Sequence, residues 1–196
     1  ALPIYEITDQ SKINRFMDII DIEADRLKTL IDDILMLSEI ESMEGNLSKI
    51  SLNEVLAEAK DIMQSISINN NIAVNYVCDD NVEVFLDRNR VKQLLINLID
   101  NAIKYNIKDG KVDVKLTKQD KFINITVEDT GIGIAEQDLP RIFERFYRVD
   151  KSRSRQMGGT GLGLAIVKHI VISFKGTINI ESNLGKGTRI EIFIPV

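Results

Sequence analysis

The chain has 196 residues, of which 44% are hydrophobic and 28% are charged, a composition typical of a globular protein and not of a disordered one. Thirty acidic side chains and 25 basic ones give a formal net charge of −5, which argues against a general attraction to nucleic acid or anionic lipid. No apolar stretch approaches the ~20 residues that cross a bilayer, so we expect no membrane contact from this part of the protein. The single cysteine, Cys78, is predicted to be a small buried residue.

A long amphipathic helix is predicted over about residues 10–44. Apolar residues recur there at spacings of three and four from Ile13 to Leu37, and the carboxylates between them, such as Asp33, are interpreted as solvated. We expect the apolar stripe to pair with a helix outside the chain, with packing against the chain's own domain as the alternative. Gly45-Asn46 ends this helix, so the predicted domains are residues 1–45 and 46–196.

The residues after this boundary are predicted to form helices and strands in a mixed order. Ser51 has capping-box spacing and Asp87 precedes a helical pattern, so each is predicted to cap a helix. Strands are predicted where apolar and polar residues alternate. The expected helices cover about residues 51–67, 87–105 and 162–174, and the expected strands cover residues 72–77, 82–86, 112–116, 123–127, 177–181 and 188–194. This order favours a two-layer α/β sandwich, in which helices cover one face of a mixed sheet.

The second of these helices combines amide side chains with a lysine. Helical spacing places Asn97, Asn101, Lys104 and Tyr105 on one face, opposite an apolar face. Asparagine is a mediocre helix former, so its repetition in this helix favours a role in ligand binding. The amide oxygens of the asparagines suit a hard cation, and the ammonium group of Lys104 suits phosphate. A solvated helix face is the alternative interpretation.

Two glycine-rich segments are candidates for close backbone contact with a ligand. In Asp129 to Ile134 the carboxylate can accept a hydrogen bond from an adenine amine, although an Asx turn has the same pattern. Gly158 to Ala165 runs into a helix, so backbone N–H groups there can face phosphate. A dinucleotide fingerprint would need glycine at Ile166, and a P-loop would need serine or threonine at Gly187, so both common glycine motifs are excluded.

In this order, the motifs resemble the boxes of the sensor histidine kinases of two-component systems, members of the GHKL superfamily with the Bergerat ATP-binding fold. Asn97 to Tyr105 resembles the N box, Asp129 to Gly133 the G1 box, Phe143 to Arg148 the F box and Gly159 to Gly163 the G2 box. The predicted N-terminal helix, ending in Leu35 to Glu41, resembles the second helix of the family's dimerisation and phosphotransfer domain. The resemblance implies that the protein binds ATP and Mg2+ and transfers the γ-phosphate to a histidine, from which a response-regulator aspartate receives it.

The resemblance also implies roles for individual residues. Asn101 corresponds to the Mg2+ ligand, supported by Asn97, and Asp129 to the acceptor for the adenine amine. Lys104 and Arg148 correspond to groups that neutralise phosphate charge, so the implied catalytic residues are these two and Asn101. The other residues implied to contact the nucleotide are Tyr105, Gly131, Gly133, Ile134, Thr160, Gly161, Leu162, Gly163 and Thr188.

Residues 134–160 correspond to the family's ATP lid, which is rich in cations. A nucleic-acid interface is the less favoured interpretation of these cations, because few aromatic residues are interleaved and the net charge is negative. We therefore expect no nucleic-acid partner. The lid cations are Arg141, Arg145, Arg148, Lys151, Arg153 and Arg155.

The family's acceptor histidine is missing from the sequence. The only histidine, His169, lacks the His-Glu-Leu-Arg-like surroundings of the acceptor and is predicted to be a structural or surface residue. We therefore expect a cytoplasmic piece of a longer bacterial inner-membrane sensor, which forms a homodimer through its dimerisation domain. The alternatives are other GHKL proteins (a chaperone, topoisomerase or mismatch-repair ATPase, or an anti-sigma serine kinase) and, from a different class, a degenerate interaction module without catalysis.

Overall fold

The computed structural model describes residues 10–41, 45–79, 82–149 and 159–196. In chain order the helices and strands in these residues are α1 (Gln10–Glu41), β1 (Ser48–Ser51), α2 (Leu52–Asn69), β2 (Ala73–Cys78), β3 (Glu83–Leu86), α3 (Arg88–Lys104), β4 (Lys111–Gln119), β5 (Phe122–Asp129), α4 (Gly163–Ser173), β6 (Thr177–Asn183) and β7 (Gly187–Pro195). Among these described residues, no helix has the length and apolar character needed to span a bilayer.

Five strands form a mixed sheet in the order β2-β4-β5-β7-β6. β2 runs parallel to β4, and the other neighbouring strands are antiparallel. The register aligns Leu116 with Ile125 and Ile125 with Ile192, and each of these side chains is at most 1% exposed. Lys115, which points to the opposite face, is exposed. The sheet therefore has one apolar face, which helices must cover.

Helices α2, α3 and α4 cover this apolar face. α3 buries Leu95, Leu98 and Ile99, and α4 buries Ile166 and Ile170, so that sheet and helices share one continuous core. Each such side chain stabilises the fold by about 1.5–3 kcal/mol when it leaves water. The predicted two-layer α/β sandwich, with helices on one face of a mixed sheet, is confirmed.

The predicted helix caps are also confirmed. Ser51 Oγ accepts a hydrogen bond from the Glu54 N–H at 3.4 Å, and Asp87 Oδ1 accepts one from the Arg90 N–H at 3.0 Å. These side chains satisfy backbone donors that a helix start otherwise leaves without an intrahelical acceptor. Both caps therefore fix where α2 and α3 begin.

Two details differ from the sequence analysis, and one prediction falls on residues that the structure does not describe. β1 was not predicted, and it pairs antiparallel with β3 in a separate two-stranded sheet. Cys78, predicted to be buried, is only partly buried at the end of β2. The predicted end of the first helix falls on residues 42–44, which lie outside the described residues.

The long helix α1 has two parts that differ in packing. Toward its C-terminus, Leu37 and Ile40 are buried in the common core. Toward its N-terminus, Phe16, Ile20 and Leu27 are each more than half exposed. The alternative interpretation therefore holds for the end of the helix, which packs on the chain's own domain. The rest of the helix leaves an apolar face exposed, and its pairing with a helix outside the chain stays a prediction.

Candidate functional site

A cavity of about 360 Å³ lies between α3, the segment that follows β5 and the loop that precedes α4. Residues of all four sequence motifs meet there, although they are widely separated in the chain. The predicted site residues that line this cavity are Asn97, Asn101, Lys104, Tyr105, Asp129, Gly133, Ile134, Arg148, Thr160, Gly161, Gly163 and Thr188.

Two predicted site residues, Gly131 and Leu162, do not line the cavity. Gly131 instead supports Asp129, because its N–H donates a hydrogen bond to the carboxylate. The Leu162 side chain is fully buried in the core, so only the backbone of this residue is left for a ligand.

Asp129 is the last residue of β5 and is held in place from two sides. Its Oδ1 accepts hydrogen bonds from the Gly131 N–H at 2.7 Å and from the Thr188 N–H at 3.3 Å. Burial raises the pKa of this carboxyl to about 6, although both hydrogen bonds favour the charged form. With Oδ1 engaged by the backbone, Oδ2 is the oxygen that can accept a hydrogen bond from a ligand amine.

The polar face of α3 lines the cavity. Asn101 Nδ2 donates to the Asn97 carbonyl at 2.9 Å, which leaves Asn101 Oδ1 to bind a cation. Lys104 Nζ lies 2.7 Å from Asp100 Oδ2, so an ion pair along the helix holds the ammonium beside the cavity. Asn97 Nδ2 is buried without a hydrogen-bond partner among the described residues, and a buried donor of this kind calls for an acceptor.

Glycine is required at two positions of the loops around the cavity. Gly133 has φ +66°, and a Cβ there would collide with the Asn183 carbonyl oxygen. Gly161 has φ +78°, and a Cβ there would lie 3.1 Å from the backbone of Phe146. The Phe146 N–H also donates to the Gly161 carbonyl at 2.9 Å, so the F-box-like segment is tied to the loop before α4.

The first turn of α4 has no side-chain cap among the described residues. Leu162 stands at the N-cap position and makes no side-chain hydrogen bond to the first turn. The N–H groups of that turn therefore resemble a site for an anion at the positive end of a helix dipole. The loop that leads into this turn, Gly159 to Gly161, lines the cavity.

The lid cations differ in their surroundings. Arg148 lines the cavity and donates to the Gly159 carbonyl. Arg141 pairs with Glu144 and lies 4.3 Å from the ring centre of Tyr147, which lines the cavity, whereas Arg141 itself does not. Three further predicted lid cations lie outside the described residues, namely Lys151, Arg153 and Arg155. So does Gly158, the first residue of the second glycine-rich segment.

The comparison with known families bears directly on this cavity. Residues 86–196 match the family described as histidine kinase-, DNA gyrase B-, and HSP90-like ATPase. The chain belongs to this ATPase family. The matched range contains every motif that lines the cavity, whereas α1, β1, α2 and β2 precede it.

The relatives within this ATPase family are sensor kinases. The chain is 37% identical to the sensor histidine kinase RppB of Synechocystis over 188 residues, which are 94% of this chain and 41% of RppB. It resembles the solved catalytic domain of the histidine kinase ThkA, with a TM-score of 0.67 and 28% identity over 76% of this chain and 95% of that one. ThkA in complex with the response regulator protein TrrA gives a TM-score of 0.73 and 25% identity, over 97% of this chain and 53% of that one. The chain spans less than half the length of RppB.

Sequence reasoning missed a contribution from α1 to the cavity of this ATPase domain. Asp33, interpreted as solvated, is half-buried and lines the cavity together with Thr29. Asp33 Oδ2 accepts a hydrogen bond from Thr160 Oγ1 at 2.7 Å. The helical pattern could not reveal this contact, because Asp33 repeats no motif and its partner lies on another element.

Ser182 on β6 is a second residue that the sequence did not single out. Its Oγ accepts from the Ile134 N–H at 2.8 Å, lies 3.0 Å from the Gly187 carbonyl and lies 2.8 Å from Thr188 Oγ1. Ser182 therefore links the two segments that hold Asp129. No sequence signal marks it, since a serine in an alternating strand is ordinary.

His169 lies outside the cavity lining of this ATPase domain. Its Nε2 is 3.3 Å from Arg145 Nη2, and its Nδ1 is 3.9 Å from Glu41 Oε1. Arg145 also pairs with Glu41. The histidine therefore has a carboxylate beside it, supplied by the end of α1, which its sequence neighbours Lys168 and Ile170 did not indicate.

Proposed function

We propose that this chain is the ATP-binding catalytic part of a sensor histidine kinase. It binds Mg-ATP in the cavity and donates the γ-phosphate to a histidine outside the chain, and a response-regulator aspartate then receives the phosphate. The observation that carries the proposal is the cavity itself, which brings the partly buried carboxylate of Asp129 together with the amide and ammonium side chains of α3.

The residues of the cavity fit Mg-ATP. Asn101 Oδ1 would hold Mg2+, which usually takes one or two protein oxygens and completes its shell with phosphates and water. When bound, the ion neutralises part of the phosphate charge. Lys104 and Arg148 supply further positive charge, and the buried Asn97 amide nitrogen supplies a donor that lacks an acceptor in the described residues. Tyr105 borders the same face, and Asp129 Oδ2 would accept from the adenine amine.

The chemistry proposed is an in-line transfer. An imidazole nitrogen of the acceptor histidine forms a bond to the γ-phosphorus while the bond from that phosphorus to the β,γ-bridging oxygen breaks, and ADP leaves. The protein's contribution is to position the nucleotide and to stabilise the charge on its phosphates. His169 is not the acceptor in this account, because it lies outside the cavity lining and faces Arg145 and Glu41.

The partners follow from the same proposal. Residues 1–45 are part of a dimerisation domain and residues 46–196 are the catalytic domain, and the exposed apolar face of α1 pairs within a homodimer. A receiver domain is the expected phosphate recipient, as the solved complex of ThkA with TrrA contains a response regulator. The proposed location is the cytoplasmic side of a bacterial inner-membrane sensor.

The proposal is tested by incubating the chain with γ-labelled ATP and Mg2+, alone and with a separately purified dimerisation domain that carries its acceptor histidine. We expect acid-labile label on the added domain and none on the chain. The variant Asn101→Ala should reduce this transfer, and Asn179→Ala, which alters an exposed amide on β6, should not. Label on the chain alone that disappears in His169→Ala would contradict the proposal.

A further inference from the structure

We infer that Asp33 of α1 lowers the affinity of the cavity for nucleotides in proportion to their phosphate charge, and that bound phosphates in turn loosen α1 from the catalytic domain. The inference rests on the proposed function, because it takes the ligand to be an adenine nucleotide. It adds a specificity-determining residue from a helix that precedes the matched family range.

Asp33 is held at the part of the cavity assigned to phosphate. Its carboxylate accepts a hydrogen bond from Thr160, in the loop that leads into α4. Lys104 and Asp100 both act on its charge, which places Asp33 near the ammonium expected to contact phosphate. Asp129, by contrast, has no α1 residue among the groups that shift its pKa. The α1 carboxylate therefore interacts with the residues assigned to phosphate, Thr160 and Lys104, and does not shift the pKa of the adenine acceptor.

The position of Asp33 is fixed by the packing of α1 on the C-terminal side of this residue. Leu37 and Ile40, one and two turns further along α1, are buried in the core. At the end of the helix Glu41 pairs with Arg145 of the lid segment. Since α1 is anchored in this way, the backbone of Asp33 stays beside the cavity as long as the end of the helix is docked.

The charge of Asp33 is unfavourable even without a ligand. Burial raises the pKa of this carboxyl, and the neighbouring Asp32 and Asp100 add to that effect, whereas the Thr160 hydrogen bond and Lys104 favour the ionised form. A nucleotide that adds anionic phosphates nearby increases the repulsion, and more phosphates increase it further. Because coupling between two binding events is reciprocal, phosphates that are repelled by docked α1 must also weaken the docking of α1.

The test compares Asp33→Asn with Asp32→Asn by calorimetric titration with AMP, ADP and ATP in Mg2+ at a pH where the carboxyls are ionised. Asparagine at position 33 keeps an oxygen that can accept from Thr160 and removes only the charge. Asp32 is the adjacent exposed carboxylate of α1 and lies outside the cavity lining, so it controls for the general effect of one charge. We expect Asp33→Asn to strengthen ATP binding roughly three- to tenfold, ADP less and AMP least.

Hydrogen exchange of α1 measures the reciprocal effect, which is the effect of bound nucleotide on the docking of α1. ATP should speed exchange around residues 29–37 in the wild-type chain and do so less in Asp33→Asn. Equal effects of the two variants, an equal gain for all three nucleotides, or slower α1 exchange with ATP would overturn the inference while leaving ATP binding intact. Failure of the wild-type chain to bind any of the nucleotides would instead overturn the proposed function, and this inference with it.

Discussion

At the scale of single residues, Asp129 is the titratable group to which the proposed function assigns recognition of adenine. Burial raises its pKa to about 6, so its carboxyl gains a proton just below neutral pH. Ionisation of this partly buried carboxyl costs stability: the cost is absent below the ordinary pKa of 3.8, grows as the pH rises toward about 6, and is complete above it. An adenine amine donates more strongly to the ionised form, so ligand binding should show the opposite preference for pH.

We therefore predict that ATP affinity falls as the pH drops from about 7.5 to about 5.5 through protonation of Asp129. The phosphates of ATP also titrate in this range, so the quantity to follow is the ratio of wild-type to Asp129→Asn affinities, in which the phosphate contribution cancels. This ratio should shrink toward acid pH. Asp120→Asn, which alters an exposed carboxylate that neither lines the cavity nor shifts the pKa of Asp129, should retain the wild-type profile. A ratio that does not change with pH would show that the Asp129 carboxylate does not accept from adenine.

Asn101 is the second residue to test, because its proposed effect on Mg2+ binding can be measured separately from adenine binding. Its amide nitrogen is used by the Asn97 carbonyl, so removal of the side chain deletes the oxygen proposed to bind Mg2+ and leaves the adenine end unchanged. We predict that ATP binding by Asn101→Ala no longer depends on magnesium, while adenosine is bound as before. Titrations with and without Mg2+ measure this dependence, and a dependence equal to that of the wild-type chain would exclude the proposed metal ligand.

At the scale of helices and strands, the sequence predicted the elements whose signals are local. Alternation along β4 and β5 gives the hairpin, and the hydroxyl of Ser51 and the carboxylate of Asp87 mark the starts of α2 and α3. β1 carries too few residues for a period-two pattern to stand out, and its partner β3 is more than thirty residues away. The motifs around Asn101 and Asp129 could be recognised because they are contiguous.

The parts of the site that were missed are those formed by tertiary contacts. Asp33 lies on a helix face that periodicity assigns to solvent, and only the docking of α1 brings it to Thr160. Ser182 joins Ile134 to Thr188 through hydrogen bonds across strands and loops. No pattern along the chain encodes such contacts, because they depend on how separate elements pack together.

The exposed apolar face of α1 leads to a prediction about association. Phe16, Ile20 and Leu27 lie at helical spacing and are each more than half exposed, so burial against a second helix is favourable. We predict concentration-dependent self-association of the chain in analytical sedimentation. Ile20→Glu should shift it to monomer, whereas Asp18→Asn, a change in a charged residue of the same helix, should not. Identical monomeric behaviour of the wild-type chain and Ile20→Glu would contradict a role for this face in pairing.

At the scale of the whole molecule, the fold brings distant segments to one cavity. The amides of α3, the acceptor at the end of β5 and the glycine loop before α4 are separated in the chain, and the sheet and its helix layer hold them together. In the proposed function this arrangement separates two tasks, because Asp129 is assigned to the base and the residues of α3 and the loop are assigned to the phosphates. Selectivity for adenine and dependence on phosphate should therefore be independent properties of the protein.

The most direct test of this account is a calorimetric titration of the chain with ATP and with GTP in Mg2+. Guanine presents a carbonyl oxygen where adenine presents its amine, so the Asp129 carboxylate loses a donor and faces a second acceptor. We predict that ATP binds at least about tenfold more tightly than GTP, consistent with a charge-assisted hydrogen bond worth ~1.5–3 kcal/mol, and that Asp129→Asn removes most of this difference by weakening ATP. Equal binding of the two nucleotides, or wild-type ATP affinity in Asp129→Asn, would contradict the assignment of this cavity as an adenine nucleotide site.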